Sequence, residues 1–277
     1  MPTPPPWAPS SPARFGLTLE WLEPSDLQAM VDLFRRGTDP GELSRSIYAA
    51  PGGAQFLVSL AMDPERREHE QFWGLRNRAG RLLGAAHTRD LPAGASHLNQ
   101  ITVEPALRGW GLGAWMLARW QTLGWTRGAS RLTLDVADSN PGARQLYARH
   151  GFTVARCTYE YRYRGSLPAA RTAGWSQQQW PEAQASFRRY GFGRFLVERQ
   201  GECFPVDLNG DFRVPDPDPE LLGFLTWLDP ARGVLLRTEH PAPAGPWRAT
   251  GAILRMYKDL AEVEPLAREA ARSGPAG

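Results

Sequence analysis

The sequence predicts an α/β protein of the α+β kind: a mixed, mostly antiparallel sheet flanked by helices, with a smaller C-terminal α/β region behind it. Three observations predict it. Strand-like runs at 71–77 and 81–91 are joined by Arg78, Ala79 and Gly80, a length and glycine content suited to a hairpin. A third run at 97–103 feeds a turn with glycine at 109, 111 and 113, and a helical pattern follows at about 112–124. A further helix is punctuated at both ends, with Asn140 as N-cap, Pro141 at the first helical position and Gly151 just past the end.

The remaining elements follow from local signals. The first 14 residues carry six prolines and no apolar core stretch, so they are expected to form a disordered arm. Without a basic region leading into a hydrophobic one, the arm does not read as a secretory signal. Order begins at Phe15, where F-G-L-T-L-E-W-L alternates like a strand until Pro24. Ser25 or Asp26 caps a helix carrying Leu27, Met30, Val31 and Phe34, which Gly37 stops. A second helix is expected over 40–49, and 55–62 also reads as helix. A strand at 131–137, the punctuated helix, and a long strand at 153–164 with alternating Tyr159, Tyr161 and Tyr163 close the first unit.

The run G-S-L-P at 165–168 reads as a linker between a domain at 15–165 and a region at 166–277. In that region strands are expected at 195–198, 221–228 and 234–238, a loop at 215–219 (P-D-P-D-P), and a closing helix at 250–272. R-A-T-G at 248–251 faintly echoes R-G-W-G at 108–111. A degenerate second copy of the first unit and chance similarity both remain open.

Composition narrows the function classes. With 42% hydrophobic and 22% charged residues the chain can bury a sizeable core, and disordered or collagen-like classes are excluded. The longest mostly apolar run, 56–62, falls far short of the ~20 residues of a membrane-spanning helix. Basic residues number 32 and acidic ones 29, and a balance of +3 without charge runs leaves no nucleic-acid footprint. Lys258 is the sole lysine, so the basic charge is almost all arginine, which reads as compositional bias before phosphate binding. Cys157 and Cys203 lack metal-ligand spacing; no metal is expected, and a reducing cytoplasm is the default compartment.

The segment that carries chemistry is N-Q-I-T-V-E-P-A-L-R-G-W-G-L-G-A-W-M-L, 99–117. Alternate glycines on a helix start let backbone N–H groups converge, and the helix adds about half a positive charge there. Such a turn is an anion cradle suited to a diphosphate. A tight turn that needs glycine and binds nothing is the plain alternative. G-W-G-L-G-A also satisfies the dinucleotide fingerprint, with Asp135 about 20 residues on as a ribose-binding acid. In that pattern the glycines follow the strand at once, whereas residues 104–108 intervene here and Pro105 breaks the strand early.

R-G-W-G-L-G fits the signature R/Q-x-x-G-x-G/A, and D-S-N-P-G-A-R-Q-L-Y-A-R-H-G-F at 138–152 is similar to N-x-x-A-x-x-L-Y-x-x-x-G-F. On these two motifs, in this order, residues 15–165 resemble the GNAT family of N-acetyltransferases. The resemblance implies a GNAT-type sheet and acetyl-CoA as cosubstrate, with direct transfer of the acetyl group to an amine and no metal. It implies that Arg108, Gly109, Trp110, Gly111, Leu112 and Gly113 hold the diphosphate. Ile101, Thr102 and Val103 would pair with the pantetheine amides like an added strand, Asn140 would contact the cofactor arm, and Tyr147 would sit near the sulfur.

That chemistry asks for specific groups. An amine with a lysine-like pKa of ~10.4 is neutral in only about one molecule in 2,500 at pH 7, so a base or selection of the neutral form is required. The thiolate leaving group needs a proton. Tyr147 can donate it, a transfer uphill by about 2 kcal/mol from pKa ~10 to ~8.5. The family often places a glutamate base on the fourth strand; none occurs in that stretch, and His97, with a reference pKa of ~6.5, stands near the corresponding place. A solvent-exposed strand-end histidine is the alternative. His87 and Asp90, on the neighbouring strand, are expected to line the acceptor pocket or to stand in as the base. The expected acceptor is a small-molecule or peptide amine, with no nucleic acid and no membrane; a homodimer stays open. A catalytically degenerate acyl-CoA-binding sensor or scaffold and a nicotinamide-dependent oxidoreductase are the competing function classes.

Overall fold

The structure, a computed structural model, describes residues 15–166, 172–241 and 245–260. Both the proposed arm and residues 261–272 of the expected closing helix lie outside them. In chain order the elements of the first part are β1 (Leu17–Trp21), α1 (Leu27–Gly37), α2 (Pro40–Leu43), α3 (Gly53–Met62), β2 (Glu70–Asn77), β3 (Leu82–Leu91), β4 (Ala95–Val103), α4 (Leu112–Thr126), β5 (Arg131–Ala137), α5 (Pro141–Arg149) and β6 (Thr153–Tyr163). The second part holds β7 (Trp175–Gln178), α6 (Trp180–Tyr190), β8 (Gly193–Arg199), β9 (Glu202–Asn209), β10 (Asp211–Val214), α7 (Pro219–Leu228), β11 (Val234–Thr238) and β12 (Trp247–Asp259). The α+β class and the mostly antiparallel sheet are as the sequence predicts.

All strands join one twelve-stranded sheet in the order β1-β2-β3-β4-β5-β12-β6-β11-β10-β9-β8-β7. Inward from either edge, five strands run in chain order, and the sixth place is taken by the last strand of the other part. β12 pairs with β5, and β6 pairs with β11, both antiparallel. Among the described residues each half has one parallel pair: β4 with β5 across α4, and β10 with β11 across α7. Segment boundaries and cores therefore do not coincide. Leu254, Met256 and Leu260 from the end of the chain pack with Met116, Leu117, Trp120 and Phe152 of the first part. A second core lies under α1 and α3, and a third holds Phe195, Phe212 and Phe224 of the second part.

Three expected elements differ. The helix expected at 40–49 is α2 followed by a separate 3-10 turn at Ile47–Ala49. The hydroxyls of Ser44 and Ser46 turn back onto the carbonyls of Gly41 and Leu43, competing with the helical ladder. The strand expected at 221–228 is helix α7, since a run apolar but for Thr226 fits either period. Asp218 decides it by accepting from Glu220 N at 2.8 Å, with Pro219 at the first helical position. The helix expected from 250 is strand β12 as far as Asp259, because the slot between β5 and β6 supplies pairing on both edges and overrides local propensity. The R-A-T-G echo falls inside that strand and forms no helix-capping turn.

Candidate active site

The site is created by an irregularity in β4. Opposite β3 the register skips Asn99, with Thr88 facing Leu98 and His87 facing Gln100. A bulge of this kind bends its strand, and the parallel ladder to β5 stops at Leu98 opposite Leu134. Beyond that point residues 98–103 and 135–137 line the two walls of a wedge, a cavity of about 1040 Å³. The cavity edge of β4 presents N–H and C=O groups that β5 no longer pairs, a template for an added extended chain. Ile101, Thr102 and Val103 lie on this edge, and all three line the cavity.

The glycine turn closes one end. Gly109 and Gly111 both hold φ +80°, a left-handed backbone that a side chain would strain. A Cβ on Gly109 or Gly113 would meet nothing within 4 Å, so the turn faces open space. In α4 the first helical bond runs from Trp115 N to Gly111 O at 2.9 Å, which leaves the N–H groups of Leu112, Gly113 and Ala114 outside the helical ladder. No acidic residue occupies that first turn. The arrangement favours an anion. Arg108, Gly109, Gly111, Leu112 and Gly113 line the cavity. The Arg108 guanidinium donates to Gly37 O at 2.5 Å, tying the turn to the end of α1. Trp110 does not line the cavity; it is 51% exposed and its ring lies 5.2 Å from that of Phe15.

Helix α5 forms the opposite wall. Asn140 caps it by accepting from Ala143 N at 3.0 Å, and its amide donates to Glu42 Oε2 at 3.1 Å. Two turns on, Tyr147 is buried yet lines the cavity. Burial, and then the Glu42 charge, push its phenol well above the ordinary value, so it stays protonated at neutral pH.

His97, His87 and Asp90 are not brought to this cavity. His97 is buried, not exposed, with Nδ1 2.9 Å from Thr133 Oγ1, and burial pushes its imidazole down to about 4. His87 donates from Nε2 to Glu70 Oε2 at 2.5 Å and bonds the Tyr48 hydroxyl through Nδ1 at 2.8 Å. Asp90 accepts from Arg127 at 2.7 Å and from Gln71 at 3.0 Å, fastening the end of α4 to β3. The structure brings in residues the sequence did not single out: Asp39, Glu42 and Arg45 after α1, Asn99 at the bulge, and Ile253 from β12. The signal for the first of these was D-P-G-E, where Asp39 caps α2 by accepting from Gly41 N at 2.8 Å and Glu42 N at 3.3 Å.

Arg45 joins the wall to the second part. It bonds Glu160 at 2.8 Å and Thr250 O at 2.9 Å, and Arg237 of β11 takes the other Glu160 oxygen at 2.8 Å. The carboxylate is buried between two cations, the arrangement in which a buried charge is tolerated. A Cβ on Gly251 would run into the Arg45 guanidinium and displace it from this position.

The site is thus a bulged strand splayed from its parallel neighbour, with a helix start suited to an anion at one end of the wedge. Residues 29–152 match the model of the acetyltransferase (GNAT) family. Solved structures share the fold over nearly the whole chain. A putative acetyltransferase from Pyrococcus horikoshii is 16% identical with a TM-score of 0.60, covering 88% of this chain and 89% of that one. A GCN5-related N-acetyltransferase from Sphaerobacter thermophilus is 13% identical with a TM-score of 0.58, covering 88% and 95%. A tandem GNAT protein from the clavulanic acid biosynthesis pathway is 14% identical with a TM-score of 0.58, covering 94% and 100%. No curated protein matches the sequence significantly. Among the described residues no helix is long and apolar enough to cross a membrane, and no group of three or more His, Cys, Asp or Glu is placed to hold a metal.

Proposed function

We propose that the protein is an acetyl-CoA-dependent N-acetyltransferase that moves the acetyl group directly to a primary amine. The observation that carries this is one cavity lined by both the open helix start at 109–113 and the Tyr147 ring. The cosubstrate supplies an activated acetyl thioester. The N–H groups of residues 112–114 receive its diphosphate, the free edge of Ile101, Thr102 and Val103 aligns its amide arm, Asn140 borders that arm, and Tyr147 protonates the departing sulfur. The open space over Gly109 and Gly113 supports the fit, since a side chain there would fill the cradle.

The second part is, in this reading, a copy of the first that has lost the cosubstrate site. The mirrored strand order and the shared parallel pairs support it, as does the fold likeness to a tandem GNAT protein. Titration with acetyl-CoA should give one site per chain, with no comparable binding of NADH. Free thiol should then appear with members of a primary-amine panel, and Tyr147→Phe should lower turnover about 10²-fold or more while leaving acetyl-CoA affinity in place. Binding of the thioester with no thiol release against the whole panel would instead mark an acyl-CoA sensor.

A further inference from the structure

Three carboxylates line the cavity, from Asp39, Glu42 and Asp135, and they differ in what holds them. Asp39 spends its charge on the N–H groups of α2. Asp135 is gripped by both ends of the Arg255 guanidinium, Nη2 standing 2.8 Å from Oδ2. Glu42 has only the neutral amide of Asn140, on Oε2. The cations in the wall are committed elsewhere, Arg45 to Glu160 and Thr250, Arg108 to the carbonyl of Gly37. Among the described residues, Glu42 is thus the cavity carboxylate that no cation balances. Asn140 fixes it to the first turn of α5, the helix that carries Tyr147 into the same space.

We propose that Glu42 anchors the acceptor as an ammonium ion and then takes its proton, which makes the acceptor class aliphatic amines that are cationic at neutral pH; this rests on the acetyltransfer reading above. The balance is complete without any further reactant. The ammonium gives one proton to Glu42, and the free nitrogen bonds the acetyl carbon as the carbon–sulfur bond breaks. Tyr147 protonates the sulfur, and the second proton leaving nitrogen restores the phenol. Glu42 releases its proton to water when the products leave. A negative wall is also the one that concentrates such a substrate, because only about one molecule in 2,500 of an amine with pKa ~10.4 arrives neutral at pH 7.

The test is Glu42→Gln, which keeps an oxygen to accept from Asn140. With CoA present, calorimetric binding of 1,4-diaminobutane should weaken by about tenfold or more, while acetyl-CoA affinity stays within about twofold. At pH 7, kcat/KM for the same amine should fall about 10²- to 10⁴-fold, and the gap should close towards pH 10, where the amine sheds its own proton. Glu42→Asp, which keeps the charge and shortens the reach, should fall between the two. Glu42→Gln that binds and acetylates 1,4-diaminobutane like the wild type overturns the assignment while leaving acetyltransfer intact. A wild-type protein that binds no acetyl-CoA overturns both.

Discussion

Each half of the sheet crosses from the first strand of its parallel pair into a helix, and the two turns are built in opposite ways. The turn after β4 has glycine at 109, 111 and 113, no acid in the first helical turn, and N–H groups facing open space. The turn after β10 reads P-D-P-D-P-E from 215 to 220. Three of those residues have no N–H to offer. The Asp218 N–H is taken by Asp216 at 2.9 Å, and that of Glu220 by Asp218 at 2.8 Å. Three carboxylates then stand where the first turn presents positive potential. The same scaffold position thus favours an anion in one half and disfavours it in the other. The fold supplies the place; the turn residues decide whether an anion can use it.

The second half nonetheless serves the first. β12 fills the sheet beside β5 and buries Leu254, Met256 and Leu260 in the first core, while Arg237 and Thr250 hold the Glu160–Arg45 pair at the cavity wall. A chain ending at residue 166 therefore loses a central strand, not a separable domain. Circular dichroism and thermal melting of that truncation should show no cooperative unfolding transition. A truncation that melts cooperatively and binds acetyl-CoA would mean that the two halves are independent after all.

The contrast between the turns can be transferred by a single charge. Gly113→Asp meets no steric obstacle, because a Cβ there has nothing within 4 Å, and it imports the acidic first turn of α7. Like charges about 5 Å apart at an effective dielectric near 20 repel by roughly 3 kcal/mol, less where solvent screens them. Acetyl-CoA affinity measured by calorimetry should fall about 10- to 100-fold with the melting temperature little changed. Unchanged affinity would remove the turn from the binding site.

The first half was largely legible in the sequence because its signals are local. Asn140, Pro141 and Gly151 bracket α5 within a dozen residues, and the glycines at 109 and 111 sit where φ +80° is demanded. The residues of the proposed cofactor wall lie in the same short motifs. Those of the proposed acceptor wall do not, because Glu42, Arg45, Asn99 and Ile253 meet only through a bulge, a helix pair and the distant strand β12. β12 was hidden for a related reason. A-I-L-R-M-Y-K carries good helix formers, and only the slot between two distant strands makes it extended. In α7 the run L-L-G-F-L-T-W-L fits a strand as well as a helix, and the cap that decides between them, Asp218, lies within the stretch expected as a loop.

His97 and Arg213 extend the comparison to the paired stretches themselves: His97 is buried on β4, Arg213 is half-buried on β10, and desolvation lowers the pKa of both. For Arg213 the consequence is a guanidinium whose Nε is buried without a partner. For His97 it is a titration that acid can reach. Its imidazole is held neutral at about 4 in the fold, against ~6.5 in an unfolded chain, so the unfolded state binds more protons between those values. The stability it contributes is therefore whole above about pH 6.5 and is lost as pH falls towards 4, amounting to about 2 kcal/mol by pH 5. His97→Gln, which keeps a partner for Thr133 and cannot titrate, should flatten that acid decline in denaturant titrations at pH 7 and pH 5. Because His97 lies outside the cavity lining, the same variant should leave the pH profile of turnover near neutrality where it was. A turnover profile that shifts with His97→Gln would place the imidazole back in the proton path and weaken the case for Glu42.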